Sequence, residues 1–477
     1  MEYEAVIGME VHVELNTKSK VFCGCSTNFH APPNTNVCPV CLGMPGVLPV
    51  LNKAAVETSI AVGLALNCSI SRWSKMDRKN YFYPDLAKNY QISQYDLPLC
   101  YDGFVEIETD NGPKRIGVTR AHLEEDTARN VHTIGSSESG VDFNRSGVPL
   151  LEIVTEPDIG SGQEAYEYLT GLKQTLQYLG ASDCNMEEGS LRAEANISVR
   201  PKGSKEFGTK TEVKNVASFS GTQKAIAYEI ERQIAVLKEG GVIEQETRGW
   251  DDRKNATVSQ RSKESAHDYR YFPEPDLPPL QVDEAWEQSI RESLPELPHD
   301  RKQRFQEQYG LTPYDAGVLT AARPIADYYE AVLTAGGEAK PAANWVMGDL
   351  QALLTEARTE IQDCRVAPEH LAGMLQLIAD GSISGKMAKE VLEEMFATGK
   401  SAKQLVEEKG LAQISDTAEL ESIALKVIEE NPGPVADYKN GKDRALKFLM
   451  GQIMKATKGQ GNPKLVNEIL VRELNKH

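Results

Sequence analysis

The sequence lacks the segments that would place it in or across a membrane. No apolar run in its 477 residues approaches the roughly 20 residues that span a bilayer. The first residues, Met1-Glu2-Tyr3-Glu4, contain neither the basic nor the apolar region of a signal peptide. We therefore expect a cytoplasmic protein whose cysteines stay reduced.

Several common catalytic motifs are also missing. We find no Gly-x-Gly-x-x-Gly after a strand, no Gly-x-Ser-x-Gly nucleophile elbow and no internal repeat. Residues 203–211 resemble a phosphate loop, but one residue too many precedes Lys210, and the stretch joins two strand-like segments instead of opening a helix. These residues therefore predict a hairpin turn.

The charge balance is acidic overall and basic at one end. The net charge of -18 argues against nucleic-acid binding over the whole surface. Residues 436–477, however, contain nine Lys or Arg against four Asp or Glu. A basic segment on an acidic body can bind nucleic acid locally. The length predicts about two to four domains.

Four of the eight cysteines form two close pairs, Cys23 with Cys25 and Cys38 with Cys41. The stretch between the pairs contains Pro32-Pro33 and is expected to turn. Four thiolates brought together in this way suit a closed, structural zinc site, while disulfides or reduced, metal-free cysteines are the alternatives. The remaining cysteines lack motif spacing and are expected to be buried thiols: Cys68, Cys100, Cys184 and Cys364.

Strand and helix patterns alternate over residues 1–298. Val6–Leu15 and Leu191–Val199 place apolar side chains at every second position, which is the period of a half-buried strand. Helices are predicted at Lys53–Leu66, Gly162–Leu179 and Phe219–Glu239. This mixture predicts an α+β domain with an antiparallel or mixed sheet.

A proline-rich passage at residues 271–279 closes this domain or leads out of it, and strand patterns stop beyond Asp300. Thr312-Pro313 predicts the N-cap and first residue of a helix. Amphipathic helices are predicted at Pro341–Arg358, Pro368–Ala379 and Met387–Phe396. We therefore predict three parts: an α+β domain over 1–298, with a zinc element at 23–41, a helical domain over 299–408 and a small helical tail domain over 409–477.

Acidic side chains and a histidine in three separate strands are the first candidates for chemistry. Glu10 and His12 lie on the polar face of the first strand, where a solvent-exposed face is the simple alternative. Residues 122–126 pack three carboxylates with a histidine, and Glu152 lies inside an otherwise apolar strand. A buried carboxylate is costly unless a cation or donor meets it. If the three strands are neighbours, these groups would converge and suit Mg²⁺ or Mn²⁺.

A basic, aromatic segment and a charged hairpin are further candidates. Residues 77–91 place Lys79 and Lys88 among tyrosines, which could supply charge to a phosphate and rings to a base or sugar. An exposed loop held by its tyrosines is the alternative. Two successive strands carry opposed charges on their polar faces: Arg192, Glu194, Lys210, Glu212 and Lys214. A solvated hairpin with cross-strand ion pairs is the simplest interpretation of these charges.

Taken together, these segments closely resemble the GatB family, the B subunits of the aspartyl/glutamyl-tRNA(Asn/Gln) amidotransferases. The stretches that carry the resemblance span the chain: Gly8–Leu15, the cysteine quartet, Asp77–Gln94, His122–Asp126, Gly147–Pro157, Gly189–Val199, Thr209–Phe219 and Ser259–Pro279. The resemblance implies a cradle domain related to glutamine synthetase over 1–298, then the helical domain and tail. The related archaeal E subunit carries an inserted domain for which this chain shows no room.

The resemblance also implies a reaction and roles for named side chains. ATP would phosphorylate the side-chain carboxylate of Glu-tRNA(Gln) or Asp-tRNA(Asn), and ammonia would then displace the phosphate. The implied Mg²⁺ ligands are His12, Glu125 and Glu152. Glu10 would be a further catalytic residue, with Glu124 close by. Implied contacts to ATP or substrate are Lys79, Lys88 and Arg192. Glu194 stands where the family pattern has Asp, which leaves its role open.

The sequence shows no source of ammonia, because it has no N-terminal cysteine and no amidase signature. The resemblance implies that a separate amidase, the A subunit, supplies it and that a small C subunit joins the two in a heterotrimer. The basic tail would bind tRNA by shape and phosphate contacts. The competing hypotheses are a non-enzymatic RNA-binding scaffold and a free-standing ligase, related to glutamine synthetase, that acts on a small molecule.

Overall fold

Two units, Met1–Leu297 and Pro298–His477, make up the chain in the computed structural model. The structure describes residues 2–132, 138–262, 268–410, 417–439, 442–457, 461 and 463–476. The strands belong to the first unit: β1 (Tyr3–Glu14), β2 (Ser69–Ile70), β3 (Trp73–Ser74), β4 (Asp77–Asn80), β5 (Tyr90–Ser93), β6 (Cys100–Thr109), β7 (Gly112–Glu125), β8 (Arg129–His132), β9 (Ser139–Asp142), β10 (Pro149–Thr155), β11 (Leu191–Pro201), β12 (Thr211–Lys214), β13 (Glu246–Asp251), β14 (Ala256–Ser262), β15 (Phe272–Pro273) and β16 (Leu280–Gln281). Its helices are α1 (Lys53–Ala65), α2 (Gly162–Tyr178), α3 (Phe219–Lys238) and α4 (Glu284–Ser293).

Among the described residues, nine strands form one sheet in the order β14-β13-β12-β11-β1-β10-β7-β6-β2. Its neighbouring strands are antiparallel except β12 and β13, which run parallel. Residues 202–210 join β11 to β12, so the stretch that resembles a phosphate loop is a connection between antiparallel strands. The predicted α+β class is confirmed.

Helices α1, α2 and α3 share one hydrophobic core with one face of this sheet. In β1 the buried side chains alternate with polar ones, so that Met9, Val11 and Val13 face the helices. Ser161 and Ser218 cap α2 and α3, because each hydroxyl accepts a hydrogen bond from a backbone N–H of the first turn. The intervening side chains of β1 therefore point to the opposite face of the sheet.

Helices are the regular elements of the second unit among its described residues, which also include the loops between them and an isolated bridge residue, Gly461. Its α-helices are α5 (Pro298–Tyr309), α6 (Pro313–Leu319), α7 (Arg323–Thr334), α8 (Ala339–Trp345), α9 (Gln351–Ala357), α10 (Pro368–Ala379), α11 (Gly385–Thr398), α12 (Ala402–Lys409), α13 (Thr417–Glu430), α14 (Pro432–Lys439), α15 (Asp443–Ala456) and α16 (Pro463–Leu474). One hydrophobic cluster packs helices α5 to α12, and another packs helices of the stretch α13 to α16. The predicted boundary between a helical domain and a tail at residue 408 stays a prediction.

One helical prediction needs correction. The predicted helix Pro341–Arg358 is interrupted by a π-helical turn at Val346–Leu350, a pattern that apolar spacing does not reveal. In α15, Phe448 is 46% exposed, whereas Ala445, Leu449 and Ile453 are buried at i, i+4 and i+8. Within the residues that the structure covers, no helix combines the length and the apolar character needed to cross a membrane.

Candidate active site

Four strands bring polar side chains side by side on the sheet face opposite the helices. Arg192 of β11, His12 of β1, Glu152 of β10 and His122 of β7 are direct neighbours in the strand register. Glu124 follows His122 by two residues and therefore points to the same face. All five line one open cavity of about 600 Å³. The convergence expected from the sequence thus holds for these strands.

The imidazole of His12 lies between two carboxylates. Its Nε2 is 3.3 Å from Glu152 Oε2 and 3.8 Å from Glu124 Oε1. His122 Nε2 lies 3.5 Å from Glu152 and 3.8 Å from Glu124 on the other side. One ligand atom from each of His12, Glu124 and Glu152 lies within 4.8 Å of the others.

The two carboxylates are buried, so their charge has to be offset locally. Burial disfavours the ionised form of Glu152, but the charges of His122 and His12 hold the pKa of Glu152 well below its usual value. Burial alone would lower the pKa of His12. The hydrogen bond and the charge of Glu152 outweigh this effect, and the pKa is raised to about 9. A divalent cation would serve the same purpose as the proton on His12. One imidazole and two carboxylates fit Mg²⁺ or Mn²⁺.

A second group of carboxylates adjoins the first across β1. Glu10 lies opposite Glu194 in the register, and together with Glu212 they offer ligand atoms within 4.8 Å of one another. Lys214 Nζ lies 2.6 Å from Glu194 and 3.2 Å from Glu212. Burial, with the nearby charges of Glu152 and Glu194, raises the pKa of Glu10. The predicted ion pair across the hairpin exists, but the hairpin is a wall of the cavity instead of a solvated face.

Glu125 does not join the group around His12, contrary to the expected ligand set. Its carboxylate accepts a hydrogen bond from Lys88 Nζ at 2.7 Å and one from the backbone N–H of Ile92 at 2.9 Å. Lys88 and Glu125 line a separate cavity of about 210 Å³. Because successive side chains of a strand point to opposite faces, Glu124 takes the place expected for Glu125. Lys88 likewise lies outside the cavity of His12 and lines the smaller one, and its expected contact with ATP or substrate stays a prediction.

The other two predicted cations do line the cavity of His12. Arg192 Nη2 donates to Asp126 Oδ2 at 3.0 Å, and Asp126 is also 3.6 Å from Arg145. Lys79 Nζ lies 5.0 Å from the centre of the Tyr269 ring. Burial alone would lower the pKa of Lys79. The charges of Glu124 and other neighbours outweigh this effect, and the pKa is raised. Lys79 and Arg192 are therefore positively charged groups facing the same space.

Sequence reasoning missed several residues of this cavity. Arg120, Tyr95, Tyr269 and Tyr271 all line it, and none was singled out from the sequence. The i, i+2 spacing of Tyr269 and Tyr271 is not a usable signal, because Arg270 between them has a left-handed backbone (φ 48°) that breaks the alternation of an extended strand. These residues are distant from His12 along the chain, so the sequence does not indicate that they line the same cavity.

The cysteine quartet forms a compact cluster beside the smaller cavity. The sulfur atoms of Cys23, Cys25, Cys38 and Cys41 all lie within 4.8 Å of one another, and the structure, which describes all eight cysteines, contains no disulfide. Four thiols at this separation fit tetrahedral zinc, which they would hold with no open position. Elsewhere the expected buried thiols are found at Cys68, Cys100 and Cys184, whereas Cys364 is only half-buried.

Two family profiles match the chain. The profile described as GatB/GatE catalytic domain matches residues 5–288, and the one described as GatB domain matches residues 327–474. Relatives that are named as the B subunit of aspartyl/glutamyl-tRNA(Asn/Gln) amidotransferase align over the full length. The protein of Carboxydothermus hydrogenoformans is 59% identical, over 100% of this chain and 99% of the relative. Those of Thermoanaerobacter sp. and Geotalea uraniireducens are 57% and 55% identical, over 100% of both chains.

Proposed function

The chain belongs to the GatB family, and on that premise we propose that it phosphorylates and amidates misacylated tRNA as one component of a multi-subunit amidotransferase. The substrate would be Glu-tRNA(Gln), Asp-tRNA(Asn) or both. A carboxylate is a poor acyl donor, so the reaction needs an activation step. Transfer of the γ-phosphoryl group of ATP to the side-chain carboxylate gives an acyl phosphate and ADP. Ammonia then attacks the carbonyl carbon, phosphate leaves, and the amide forms.

The observation that carries this proposal is the meeting of metal-ligand and cationic groups in one cavity. His12, Glu124 and Glu152 are suited to hold Mg²⁺, and Lys79 and Arg192 face the same space. Mg²⁺, when bound, would offset the negative charge of the transferring phosphoryl group. Lys79 and Arg192 contribute two further positive charges of the chain itself. Their ion-pair and ring contacts hold both cations in place before substrate arrives.

We assign to Glu10 the uptake of the proton that the attacking ammonia releases. Burial and the charges of Glu152 and Glu194 raise the pKa of Glu10, which makes its carboxylate a stronger proton acceptor. Glu10 lies in the cavity between Glu152 and Glu194, within the electrostatic reach of both. It is therefore placed to act next to the activated carboxylate without being a member of the metal-ligand set.

Partners complete the reaction. A separate amidase, the A subunit, would supply ammonia and a small C subunit would join it to this chain, because the sequence offers no amidase signature of its own. The tRNA would contact α15, whose exposed side chains include Arg444, Lys447, Phe448 and Lys455. Zinc bound by the cysteine quartet would fix residues 23–41 in place.

The assembled amidotransferase, given ATP, an ammonium salt and Glu-tRNA(Gln), tests the proposal directly. We expect Gln-tRNA(Gln) to form, and Glu152→Gln to lower its rate by about 100-fold or more. Glu231→Gln, an exposed glutamate of α3, is the matched control and should keep the wild-type rate. Full activity of Glu152→Gln would favour the RNA-binding scaffold instead.

The free-standing ligase hypothesis makes a different prediction in the same assay. Such an enzyme would form an amide from a free amino acid and would keep its activity after deletion of residues 410–477. We expect no product from free glutamate and a large loss of activity from that deletion. The family membership and the exposed basic side chains of α15 favour the tRNA substrate.

A further inference from the structure

Four tyrosines form one wall of the cavity that contains His12. The rings of Tyr95 and Tyr271 stack with centroids 4.3 Å apart and planes inclined by 9°. Tyr269 meets Tyr271 edge-on at 6.1 Å, and Tyr81 meets Tyr269 edge-on at 5.9 Å. We call Tyr81, Tyr95, Tyr269 and Tyr271 the tyrosine wall.

Backbone hydrogen bonds hold this wall in position. The N–H of Asn80 donates to the carbonyl of Tyr269 at 2.9 Å, and its side-chain amide donates to the carbonyl of Arg270 at 2.9 Å. The N–H of Tyr95 donates to the buried carboxylate of Asp77 at 3.1 Å. These bonds hold the backbone that carries Tyr95 and Tyr269, and the ring contacts restrain the side chains, so little conformational freedom is lost when a ligand binds.

The tyrosine wall is not part of the hydrophobic core. Tyr95 remains 60% exposed although it stacks on Tyr271, and neither ring belongs to the core of the first unit. By contrast, the tyrosines that pack the interior, such as Tyr168 and Tyr178, are almost fully buried. Aromatic surface left open beside convergent charged groups is typical of a ligand site.

Lys79 marks the border between the aromatic and the charged part of the cavity. Its ammonium group lies 5.0 Å from the Tyr269 ring, and its charge also interacts with Glu124 and Glu152. The cavity thus presents tyrosine rings, then the Lys79 cation, then the group around His12. A ligand that joins a flat ring to anionic oxygens would match this order. A cavity of about 600 Å³ is large enough for such a molecule.

We propose that the tyrosine wall binds a purine base whose phosphate or ribose end points past Lys79 toward His12. This inference rests on the proposed function and deepens it. Within that reaction, adenine rings occur in ATP and in the 3′-terminal adenosine of the aminoacyl-tRNA. Either ring would stack on tyrosine, since stacking needs a π-face and no sequence-specific hydrogen bonds.

The test uses the assembled amidotransferase with Tyr95→Ala, Tyr271→Ala and the ring-preserving Tyr95→Phe and Tyr271→Phe. Calorimetry measures the binding of a non-hydrolysable ATP analogue and of inorganic tripolyphosphate, which has no base. Steady-state kinetics with an ammonium salt give the KM for Glu-tRNA(Gln). Tyr101→Ala is the matched control, because Tyr101 is exposed on β6 and does not line the cavity.

We expect the alanine variants to weaken one of the two base-containing ligands by about tenfold or more. The phenylalanine variants and Tyr101→Ala should bind it like the wild type, and tripolyphosphate binding should be the same in all. Weaker binding of the ATP analogue assigns the wall to the nucleotide, and a higher KM for Glu-tRNA(Gln) assigns it to the terminal adenosine. Unchanged values in both assays, or an equal loss of tripolyphosphate binding, would overturn the inference. A wild-type enzyme that binds the analogue but makes no Gln-tRNA(Gln) would contradict the proposed function alone.

Discussion

Glu124 and Glu125 are adjacent in sequence but line two different cavities of the same domain. Glu124 lies 3.8 Å from His12 Nε2, whereas Glu125 binds Lys88 Nζ at 2.7 Å. The alternation of side chains in β7 therefore separates a carboxylate suited to a cation from one that already has a cationic partner. The proposed metal centre depends on this separation.

The cysteine quartet predicts bound zinc in the purified chain. We expect about one zinc ion per chain and a large loss of zinc in Cys38→Ser, because the site needs all four thiolates. Loss of the metal should also lower the thermal unfolding midpoint, since metal binding couples to local folding. Elemental analysis and a thermal melt measure both quantities. Cys364→Ser, outside the quartet, should retain the metal, and a metal-free wild type would contradict the assignment.

Two helix glycines predict opposite effects of the same substitution. At Gly63 of α1, an added Cβ would lie 2.4 Å from Cys100 Sγ and 2.9 Å from its Cβ. We expect Gly63→Ala to destabilise the first unit by about 1–3 kcal/mol, because overpacking outweighs the gain in helix propensity.

At Gly171 of α2, an added Cβ meets nothing within 4 Å. Gly171→Ala should therefore stabilise the same unit by about 0.5–1 kcal/mol. Urea unfolding, followed by tryptophan fluorescence, measures both variants against the wild type. If Gly63→Ala and Gly171→Ala shifted the unfolding midpoint equally and in the same direction, the expected clash of the added Cβ at Gly63 with Cys100 would be wrong.

An ion-pair cluster in the second unit predicts acid sensitivity. Burial raises the pKa of Glu330, but hydrogen bonds from Arg304, Arg301 and Tyr309 outweigh it and hold that pKa at about 2, below its ordinary value of 4.5. Between pH 2 and 4.5, the Glu330 carboxylate therefore binds a proton more readily in the unfolded state than in the folded state. The stabilisation is present above pH 4.5 and is lost as the pH falls through 2.

The comparison of the wild type with Glu330→Gln tests whether this stabilisation is lost on acidification. Allowing for solvent screening, we expect the wild type to be about 1–2 kcal/mol more stable at neutral pH. The difference should shrink as the pH approaches 2. Urea unfolding across this range measures it, with Glu356→Gln, an exposed glutamate of α9, as the control. A difference that grows on acidification would contradict the assigned pKa direction.

The sequence was sufficient for the strands that carry the site, because their period-2 pattern is local. The buried Val11 and Val13 imply that His12 faces the other side, and the structure confirms this arrangement. The same alternation applied to β7 places His122 and Glu124 together and excludes Glu125. The expected role of Glu125 followed from the resemblance instead, which does not take account of side-chain direction.

Long-range contacts are the part that the sequence could not supply. Arg192 finds Asp126, and Tyr95 stacks on Tyr271, only because the sheet and its neighbouring strands bring distant segments together. Likewise, the apolar spacing of residues 341–358 favours a continuous amphipathic helix and does not predict the π-helical turn at Val346–Leu350.

The central claim is that His12, Glu124 and Glu152 hold a divalent cation, and Mn²⁺ binding tests it most directly. An electron paramagnetic resonance titration of the full chain measures the affinity without any other substrate. We predict that Glu124→Gln weakens the tightest Mn²⁺ site by about tenfold or more, whereas Glu125→Gln leaves it unchanged. The reverse pattern, with binding lost in Glu125→Gln and kept in Glu124→Gln, would contradict the account.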